Sequence, residues 1–415
     1  MLLFCVAAAI PARSQTFTTL ASFDGTNGSL PYASLVQGLD GNLYGTTADN
    51  GSPNNHGTVF SITSVGTLTE LYSICALANC ADGTTPTTGL VLGTDGNFYG
   101  TTQFGGANCE SSTTFGCGTV YKITPEGTLT TIYSFCSIAK CKDGQQPSAA
   151  LIQATDGSFY GTTYEGGVKC PLAGTAFKIT PQGSLTTIFS FCRPSSSSST
   201  GKNPVTPLVQ GTDGNFYGTT SEGGLHNKGT IFQLTPDGHL TTLYSFCMVE
   251  THPPVCSDGQ HPSGLIQGAD GNFYGTTESG GPYISRKLGG RGTIFKITPS
   301  GTFATLYNFC SQTNCTDGAT PVAPLVQASD GSFYGTTQNG GKTSCGGTGC
   351  GTIYKVTPEG SLTTLYTFCS VASCADGSLP QSGLMQAADG NLYGTTYGGG
   401  TSSQGTVFQL SIETP

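Results

Sequence analysis

The tetrapeptide Tyr-Gly-Thr-Thr occurs seven times along this 415-residue chain. The copies begin at Tyr44, Tyr99, Tyr160, Tyr217, Tyr274, Tyr334 and Tyr393. Successive copies lie 55 to 61 residues apart, so one repeated unit makes up about nine tenths of the sequence. A period of this size, with short β-type runs separated by glycine, is typical of the blades of a β-propeller.

Each unit contains four strand-length runs, which we call A, B, C and D in chain order. In the second unit they cover residues 89–92, 97–102, 118–124 and 129–135. An Asp-Gly pair joins A to B and a Thr-Pro-x-Gly sequence joins C to D, and both favour tight turns between antiparallel strands. The sequence therefore predicts a four-stranded antiparallel meander in every unit. We interpret the glycine that follows each strand-B tyrosine as a point where the neighbouring sheet approaches closely.

The phase of the repeat predicts how the array ends. Residues 16–23 form a D-like run before any A run has appeared, and residues 405–410 form a C run that no D run follows. If the first strand completes the last blade, every strand is used and no edge is left unpaired. We therefore predict an all-β fold, a seven-bladed β-propeller with four antiparallel strands per blade, or 28 strands, closed by its N-terminal strand.

The N-terminus resembles a secretory signal. An apolar run is followed by Ala12-Arg13-Ser14, with small residues at the positions that a signal peptidase requires. We expect cleavage after Ser14, which divides the chain into a signal peptide, 1–14, and a single propeller domain, 15–415. No later segment is long and apolar enough to span a bilayer.

Sixteen of the seventeen cysteines lie beyond that signal and are expected to form eight disulfides in an oxidising compartment. Seven pairs are close in sequence, and the eighth joins a B–C loop to the end of the adjoining D strand. Close cysteines could also bind zinc, but these pairs lie on different repeats with few histidines nearby, so we expect no metal and no cofactor. The pairs are Cys75/Cys80, Cys109/Cys117, Cys136/Cys141, Cys170/Cys192, Cys247/Cys256, Cys310/Cys315, Cys345/Cys350 and Cys369/Cys374.

The long repeat D-G-N-F-Y-G-T-T…G-G…G-T-I-F-K-I-T-P-x-G-x-L-T-T-L-Y-S-F resembles the GloVer tandem repeat over about residues 16–412. The order of its strands is also similar to that of NHL-type propellers. GloVer repeats occur in exported bacterial proteins, so the resemblance implies export. Because no sorting motif or hydrophobic tail follows the last repeat here, we expect a secreted or periplasmic location rather than surface anchoring.

Strand direction sorts the loops onto two faces. The short A–B and C–D turns lie on one, which we call the turn face, and the long B–C and D–A loops lie on the other, the loop face. All the paired cysteines belong to the loop face. Because function on rigid scaffolds is usually carried by variable loops, we expect the ligand site there.

Several recurrent side chains are interpreted as scaffold. We expect the A–B aspartates to shape hairpins, and the D–A aspartates to cap turns, with loop-bound calcium as an alternative for the latter. We expect the Tyr-Gly-Thr-Thr tyrosines to pack between blades rather than to form a ligand platform. No ionisable side chain begins any A run, which argues against a metal site or an acid–base pair at the tunnel mouth. The aspartates are Asp40, Asp95, Asp156, Asp213, Asp270, Asp330 and Asp389, then Asp82, Asp143, Asp258, Asp317 and Asp376.

The symmetry of the repeat breaks mainly around the fourth and fifth blades. We predict ligand-binding residues there: His226, Lys228, His252, His261, Tyr283, Arg286 and Arg291. The favoured function is a binding or surface-interaction module that uses its D–A and B–C loops. The alternative is an extracellular polysaccharide lyase or hydrolase with His226, His261, Glu222 and Glu278 as acid–base residues. A third hypothesis is a purely structural envelope component.

Charge and aromatic content bound the partners. The net charge of −9, without a basic stripe, argues against nucleic acid. We expect a monomer that binds a carbohydrate or a protein. The chain has no tryptophan for stacking on sugars, which leaves Tyr164, Tyr283 and Tyr397 as candidate platforms.

Overall fold

The computed structural model describes residues 15–51, 54–108, 117–168, 172–191, 200–248, 256–282, 291–341, 345 and 347–412. Within them the chain forms seven four-stranded antiparallel sheets; six are meanders of strands from one repeat, and the seventh adds the N-terminal strand to the last three strands of the chain. This confirms the predicted seven-bladed β-propeller with four strands per blade. The predicted signal peptide, residues 1–14, lies outside the described residues.

The strands follow the predicted order A, B, C, D in each blade. Blade one contains β2 (Val36–Gln37), β3 (Leu43–Thr47), β4 (Thr58–Ile62) and β5 (Leu68–Ser73); blade two β6 (Val91–Leu92), β7 (Phe98–Thr102), β8 (Thr119–Ile123) and β9 (Leu129–Ser134); blade three β10 (Ile152–Gln153), β11 (Phe159–Thr163), β12 (Thr175–Ile179) and β13 (Leu185–Ser190). Blade four contains β15 (Val209–Gln210), β16 (Phe216–Thr220), β18 (Thr230–Leu234) and β19 (Leu240–Ser245); blade five β20 (Gln260–Gln267), β21 (Phe273–Ser279), β22 (Thr293–Ile297) and β23 (Phe303–Asn308). Blade six contains β24 (Val326–Gln327), β25 (Phe333–Thr337), β26 (Thr352–Val356) and β27 (Leu362–Thr367); blade seven β28 (Met385–Gln386), β29 (Leu392–Thr396), β30 (Thr406–Leu410) and β1 (Phe17–Ser22).

Two further strands, β14 (Gly201–Lys202) and β17 (Glu222–Gly223), form a separate two-stranded ribbon on the loop face of blade four. They bring the described strands to 30, against the 28 predicted for the blades alone. Short 3-10 turns lie in three D–A loops, at Ala78–Cys80, Thr313–Cys315 and Ala372–Cys374.

Blade five departs from the repeat in its inner strand. Six A strands are only two residues long, whereas β20 runs for eight residues and pairs with a lengthened β21. The sequence explains the difference, because Pro262 and Leu265 are three residues apart where Pro31 and Leu35 are four apart. The shorter path keeps β20 close to β21, with one register shift between Pro262 and Gly264.

The ring closes as the phase of the repeat predicted. The N-terminal strand β1 pairs with β30 from Phe17 opposite Leu410 to Ser22 opposite Thr406. The ring of Phe17 also stacks on Tyr366 of blade six, with centroids 3.8 Å apart. The last blade therefore has its fourth strand, and β30 is not left as an open edge.

The strand-B tyrosine joins neighbouring blades, as expected. In the first five blades its ring stacks on a phenylalanine of the next blade at centroid distances of 4.0 to 4.1 Å. Its hydroxyl donates to the A–B aspartate of its own blade in all seven copies, at 2.7 to 2.9 Å. The same aspartates accept hydrogen bonds across their turns, which confirms their role in shaping the hairpins.

The interpretation of the glycine after that tyrosine is wrong in one respect. A Cβ atom on Gly45 would lie 2.6 Å from the ring of Phe60 and 2.8 Å from Leu35, both in the same blade. Phe60 stands directly opposite Gly45 on the paired strand β4. The glycine therefore makes room for an aromatic ring of its own sheet rather than for a neighbouring sheet.

Candidate functional site

The D–A loops of the loop face are organised around buried aspartates. The carboxylate of Asp82 is fully buried and accepts hydrogen bonds from the Tyr72 hydroxyl and from the backbone N–H groups of Ala76 and Leu77, at 2.9 to 3.1 Å. Asp143, Asp317 and Asp376 repeat this arrangement, and Asp258 accepts from Tyr244 and from the N–H of Met248. These contacts confirm that the D–A aspartates cap turns.

Disulfides clamp the same loops. Six are formed among the described residues, with Cα atoms 4.0 to 5.2 Å apart, and all lie on the loop face. Cys117 is also disulfide-bonded. Cys109, Cys170 and Cys192 lie outside the described residues. The observed bonds are Cys75–Cys80, Cys136–Cys141, Cys247–Cys256, Cys310–Cys315, Cys345–Cys350 and Cys369–Cys374.

Two disulfides of blade six lie against each other, although the sequence suggested that the cysteine pairs would be kept apart on different repeats. The sulfur atoms of Cys345, Cys350, Cys369 and Cys374 all lie within 4.8 Å of one another. They meet because Cys350 precedes β26 and Cys369 follows β27, and these two strands are paired. Both bonds would have to be reduced before the four sulfur atoms could coordinate a metal.

Seven junctions between blades form a ring on the loop face. In every blade the residue before the D–A proline has a left-handed backbone, with φ between 54° and 58°. Its N–H donates to a carbonyl just before strand C of the preceding blade, at 2.8 to 3.0 Å. The left-handed residues are Leu30, Thr85, Gln146, Asn203, His261, Thr320 and Leu379. Each junction thus ties a D–A loop to a B–C loop and holds variable side chains at fixed positions.

Three of the predicted ligand-binding residues lie at two successive junctions. The N–H of His261 donates to the carbonyl of Lys228, and the N–H of Thr320 donates to the carbonyl of Arg291. The His261 ring lies 3.4 Å from the Ser279 hydroxyl through Nδ1. The Nε of Arg291 is buried and has no hydrogen-bond partner among the described residues.

The other predicted residues are more scattered. His226 is exposed in the B–C loop of blade four, and Glu278 is exposed at the end of strand B in blade five. Glu222 lies opposite Lys202 in the β14–β17 ribbon, with its Oε2 2.5 Å from the lysine Nζ. His252, Tyr283 and Arg286 lie outside the described residues.

A cavity of about 640 Å³ occupies the loop-face end of the central tunnel and is lined by residues of all seven blades. Most of the lining comes from the segments between the D–A proline and strand A. Gln103, which follows strand B of blade two, also contributes. The sequence analysis did not single out Tyr32, Gln103 or Gln381. Their signal was present: Tyr32 and Gln381 follow a proline that is the same in every repeat, and Gln103 follows the Tyr-Gly-Thr-Thr motif, yet the residue at each of these positions varies between repeats.

Two tyrosines meet at one edge of this cavity. The rings of Tyr32 and Tyr397 come from blades one and seven, and their centroids are 5.0 Å apart. Burial, together with the neighbouring Tyr397 hydroxyl, raises the pKa of Tyr32 to about 12. The phenol therefore stays protonated at neutral pH and can both donate and accept a hydrogen bond.

The family comparison agrees with the repeat and with the fold. The Gloeobacter/Verrucomicrobia repeat matches the chain three times, over residues 6–137, 109–257 and 254–415. The chain belongs to the Gloeobacter/Verrucomicrobia repeat family. A search of curated protein sequences found no match.

Among solved structures, this member of the repeat family is similar to the extracellular domain of a putative hybrid two-component system from B. thetaiotaomicron, with 12% identity and a TM-score of 0.55. The similarity covers 95% of this chain but only 39% of that chain. A copper-bound fungal alcohol oxidase of the AA5 family has 13% identity and a TM-score of 0.53, covering 95% of this chain and 75% of that one. These likenesses concern the fold alone. Among the described residues, no helix has the length and apolar character needed to cross a bilayer.

Proposed function

We propose that the chain is an exported propeller whose loop face binds a carbohydrate or protein ligand. The observation that carries the proposal is the difference between its faces. On the turn face the A–B aspartates are engaged by tyrosine hydroxyls in all seven blades, and three of them also pair with lysines. On the loop face, clamped loops hold side chains that differ from blade to blade.

Export is supported by the disulfides. Such bonds persist in oxidising compartments and are rare in the cytosol, so their number favours a secreted or periplasmic protein. The extracellular domain with a similar fold is consistent with this location. Rigid loops also suit binding, because less conformational entropy is lost when a ligand binds to preordered groups.

The most distinctive polar groups lie at two junctions, the one between blades four and five and the one between blades five and six. Lys228 and Arg291 occupy the same repeat position in consecutive blades, and His261 lies between them in sequence. The Nε of Arg291 is a buried donor without a hydrogen-bond partner among the described residues, so the polar groups of this junction are not fully satisfied by the scaffold. We infer that these residues, together with His226, form the polar part of the binding surface.

The enzymatic alternative has less support. Glu222, one of its two candidate acids, is held by Lys202 in the β14–β17 ribbon. Its Oε2 is engaged by the Lys202 ammonium group, so the side chain is committed to the ribbon rather than presented alone to a substrate.

The proposal can be tested with a combined His226→Ala, His261→Ala and Arg291→Ala variant of the mature chain. Binding would be measured on a glycan array and on immobilised bacterial envelope fractions. His239→Ala is the matched control, because His239 is an exposed histidine of the C–D turn on the turn face. We expect the triple variant to lose binding that the control retains. Equal binding by the wild type, the triple variant and the control would refute the assignment of the ligand site to this surface.

A further inference from the structure

We propose that the tunnel cavity is a subsite for an uncharged sugar residue. This inference rests on the proposed function, because it names the ligand class of the same loop face. The cavity opens at the D–A loops and is built by every blade, so its shape depends on the closed ring rather than on one flexible loop.

The cavity lining carries no charged side chain. No Asp, Glu, Lys, Arg or His lies among the residues that line the cavity. An ionic ligand would leave water without gaining a counter-ion, which is costly in a concave site. A neutral ligand incurs no such cost.

Polar groups are unevenly distributed around the tunnel. Blades seven, one, two and three contribute hydroxyls and amides, whereas blades four and six contribute valine and proline side chains. Blade five, between these two, contributes Ser263, whose hydroxyl donates to the Pro321 carbonyl. The cavity therefore has a polar half and an apolar half on opposite walls. The polar half includes Gln381, Tyr32, Ser34, Thr87, Gln103 and Ser148, and the apolar half Val205, Pro207, Val322 and Pro324.

Several polar side chains of the lining keep free hydrogen-bonding capacity. Ser148 and Ser263 already donate to backbone carbonyls, at 3.0 and 2.9 Å. The side chains of Thr87, Gln103 and Gln381, by contrast, form no hydrogen bond with the described part of the chain. Two primary amides and a hydroxyl supply both donors and acceptors, as the hydroxyls of a sugar require.

A sugar ring fits this combination because it presents hydroxyls at its edge and C–H groups on its faces. The apolar wall of Val205 and Val322 can cover a C–H face, while Gln103 and Gln381 engage the hydroxyl edge. An apolar ligand would leave the two amides unpaired, which disfavours it. The cavity volume, about 640 Å³, is within the range of small-molecule sites.

The test is isothermal titration of the mature chain with a panel of neutral mono- and disaccharides and the corresponding uronic acids. The variants are the double substitution Gln103→Ala/Gln381→Ala and the near-isosteric Thr87→Val. Gln338→Ala is the matched control, since Gln338 follows strand B in blade six as Gln103 does in blade two, but does not line the cavity. Circular dichroism and thermal melting would verify the fold of each variant.

We expect at least one neutral sugar to bind, with the uronic acid weaker by about tenfold or more. The double variant should lose about tenfold in affinity and Thr87→Val several-fold, while the control stays within about twofold. If the cavity variants bind like the wild type while the His226/His261/Arg291 variant does not, the sugar subsite is wrong and the proposed function stands. If no neutral sugar binds, the subsite is also wrong. If no ligand class depends on any loop-face residue, both fail.

Discussion

At the scale of single residues, one tyrosine performs two structural tasks in every blade. Its ring packs between blades, and its hydroxyl anchors the A–B turn through an aspartate. Burial and the adjacent carboxylate raise the pKa of Tyr99, so its hydroxyl remains a donor. The two tasks can be separated by substitution, because phenylalanine keeps the ring and loses only the hydroxyl.

We predict that Tyr99→Phe lowers the free energy of unfolding by about 1 kcal/mol, the usual worth of one hydrogen bond. Tyr99→Ala should cost about 3 to 5 kcal/mol, because it also removes the stacking on Phe159. Urea denaturation of both variants measures the difference. Similar losses for the two variants would mean that the hydroxyl, and not the stacking of the ring on Phe159, carries the stability of this position.

The turn-face carboxylates also predict an acid dependence. Partial burial raises the pKa of Asp270, but hydrogen bonds from Lys296, Asn272 and Tyr274 outweigh this and hold the pKa well below its usual range. A carboxyl with a lowered pKa in the folded state stabilises the fold above its unfolded pKa, about 3.9. This contribution is lost as the pH falls through the folded pKa.

Asp270→Asn should therefore lower stability at pH 7 and flatten its decline between about pH 4 and pH 2. Asp389→Asn is the comparison, since strand C of blade seven carries Gln409 instead of a lysine, and its effect should be smaller. Urea denaturation of both variants at pH 7 and between about pH 4 and pH 2 measures these differences in stability. An unchanged acid slope in Asp270→Asn would contradict the lowered pKa of Asp270, and an equal effect of Asp389→Asn would contradict the role given to Lys296.

At this scale, the roles of individual side chains could be predicted only in part from the sequence. The role of the aspartates followed from Asp-Gly turn chemistry, which is local. The role of the glycine opposite Phe60 was predicted wrongly because the ring that covers it comes from the paired strand. The direction of that ring cannot be predicted from the residue spacing within one strand.

At the scale of elements, the disulfides are clamps on loops rather than the origin of the fold. Each observed bond joins cysteines only five to nine residues apart. Buried apolar clusters between neighbouring blades, such as those around Phe60 and Phe98, hold the sheets together instead. A loop this short contributes about 2 kcal/mol by restricting the unfolded chain.

Reduction with a phosphine should therefore lower the melting temperature while leaving the far-ultraviolet circular dichroism spectrum at 25 °C unchanged. The Cys369→Ser/Cys374→Ser variant should lose about 2 kcal/mol and keep the fold. A reduced chain that is unfolded at 25 °C would show that the disulfides are essential to the propeller.

The boundaries of strands B, C and D could be predicted within about one residue, because alternation and turn residues mark them. The inner strand could not, since β6 is two residues long where four were expected. Nor did any local pattern indicate the β14–β17 ribbon, whose two strands are separated by a complete hairpin. The contact between two disulfides in blade six likewise depends on strand pairing rather than on cysteine spacing.

At the scale of the whole molecule, closure of the seven-bladed ring forms the central tunnel and the cavity at its loop-face end. The phase of the repeat was sufficient to predict that β1 completes blade seven. The cavity could not be predicted, because Tyr32, Gln103 and Gln381 belong to three blades and share a wall only after the ring closes.

Deleting residues 16–23 should expose the edge of β30 and remove Phe17 from its contacts with blade six. We expect a lower melting temperature and concentration-dependent association through the open edge, measured by light scattering. Thr18→Ala, at an exposed position of the same strand, is the control and should remain wild-type-like. A deletion variant that stays monomeric and keeps the wild-type melting temperature would contradict the closure of the ring by β1.

The central claim is that the loop face, and not the turn face, binds the ligand. Hydrogen–deuterium exchange of residues 15–415, with and without the tightest-binding glycan from the array, separates the two faces. We expect slower exchange in the D–A and B–C loops of blades four and five and around the tunnel mouth. Slower exchange confined to the A–B and C–D turns would contradict it.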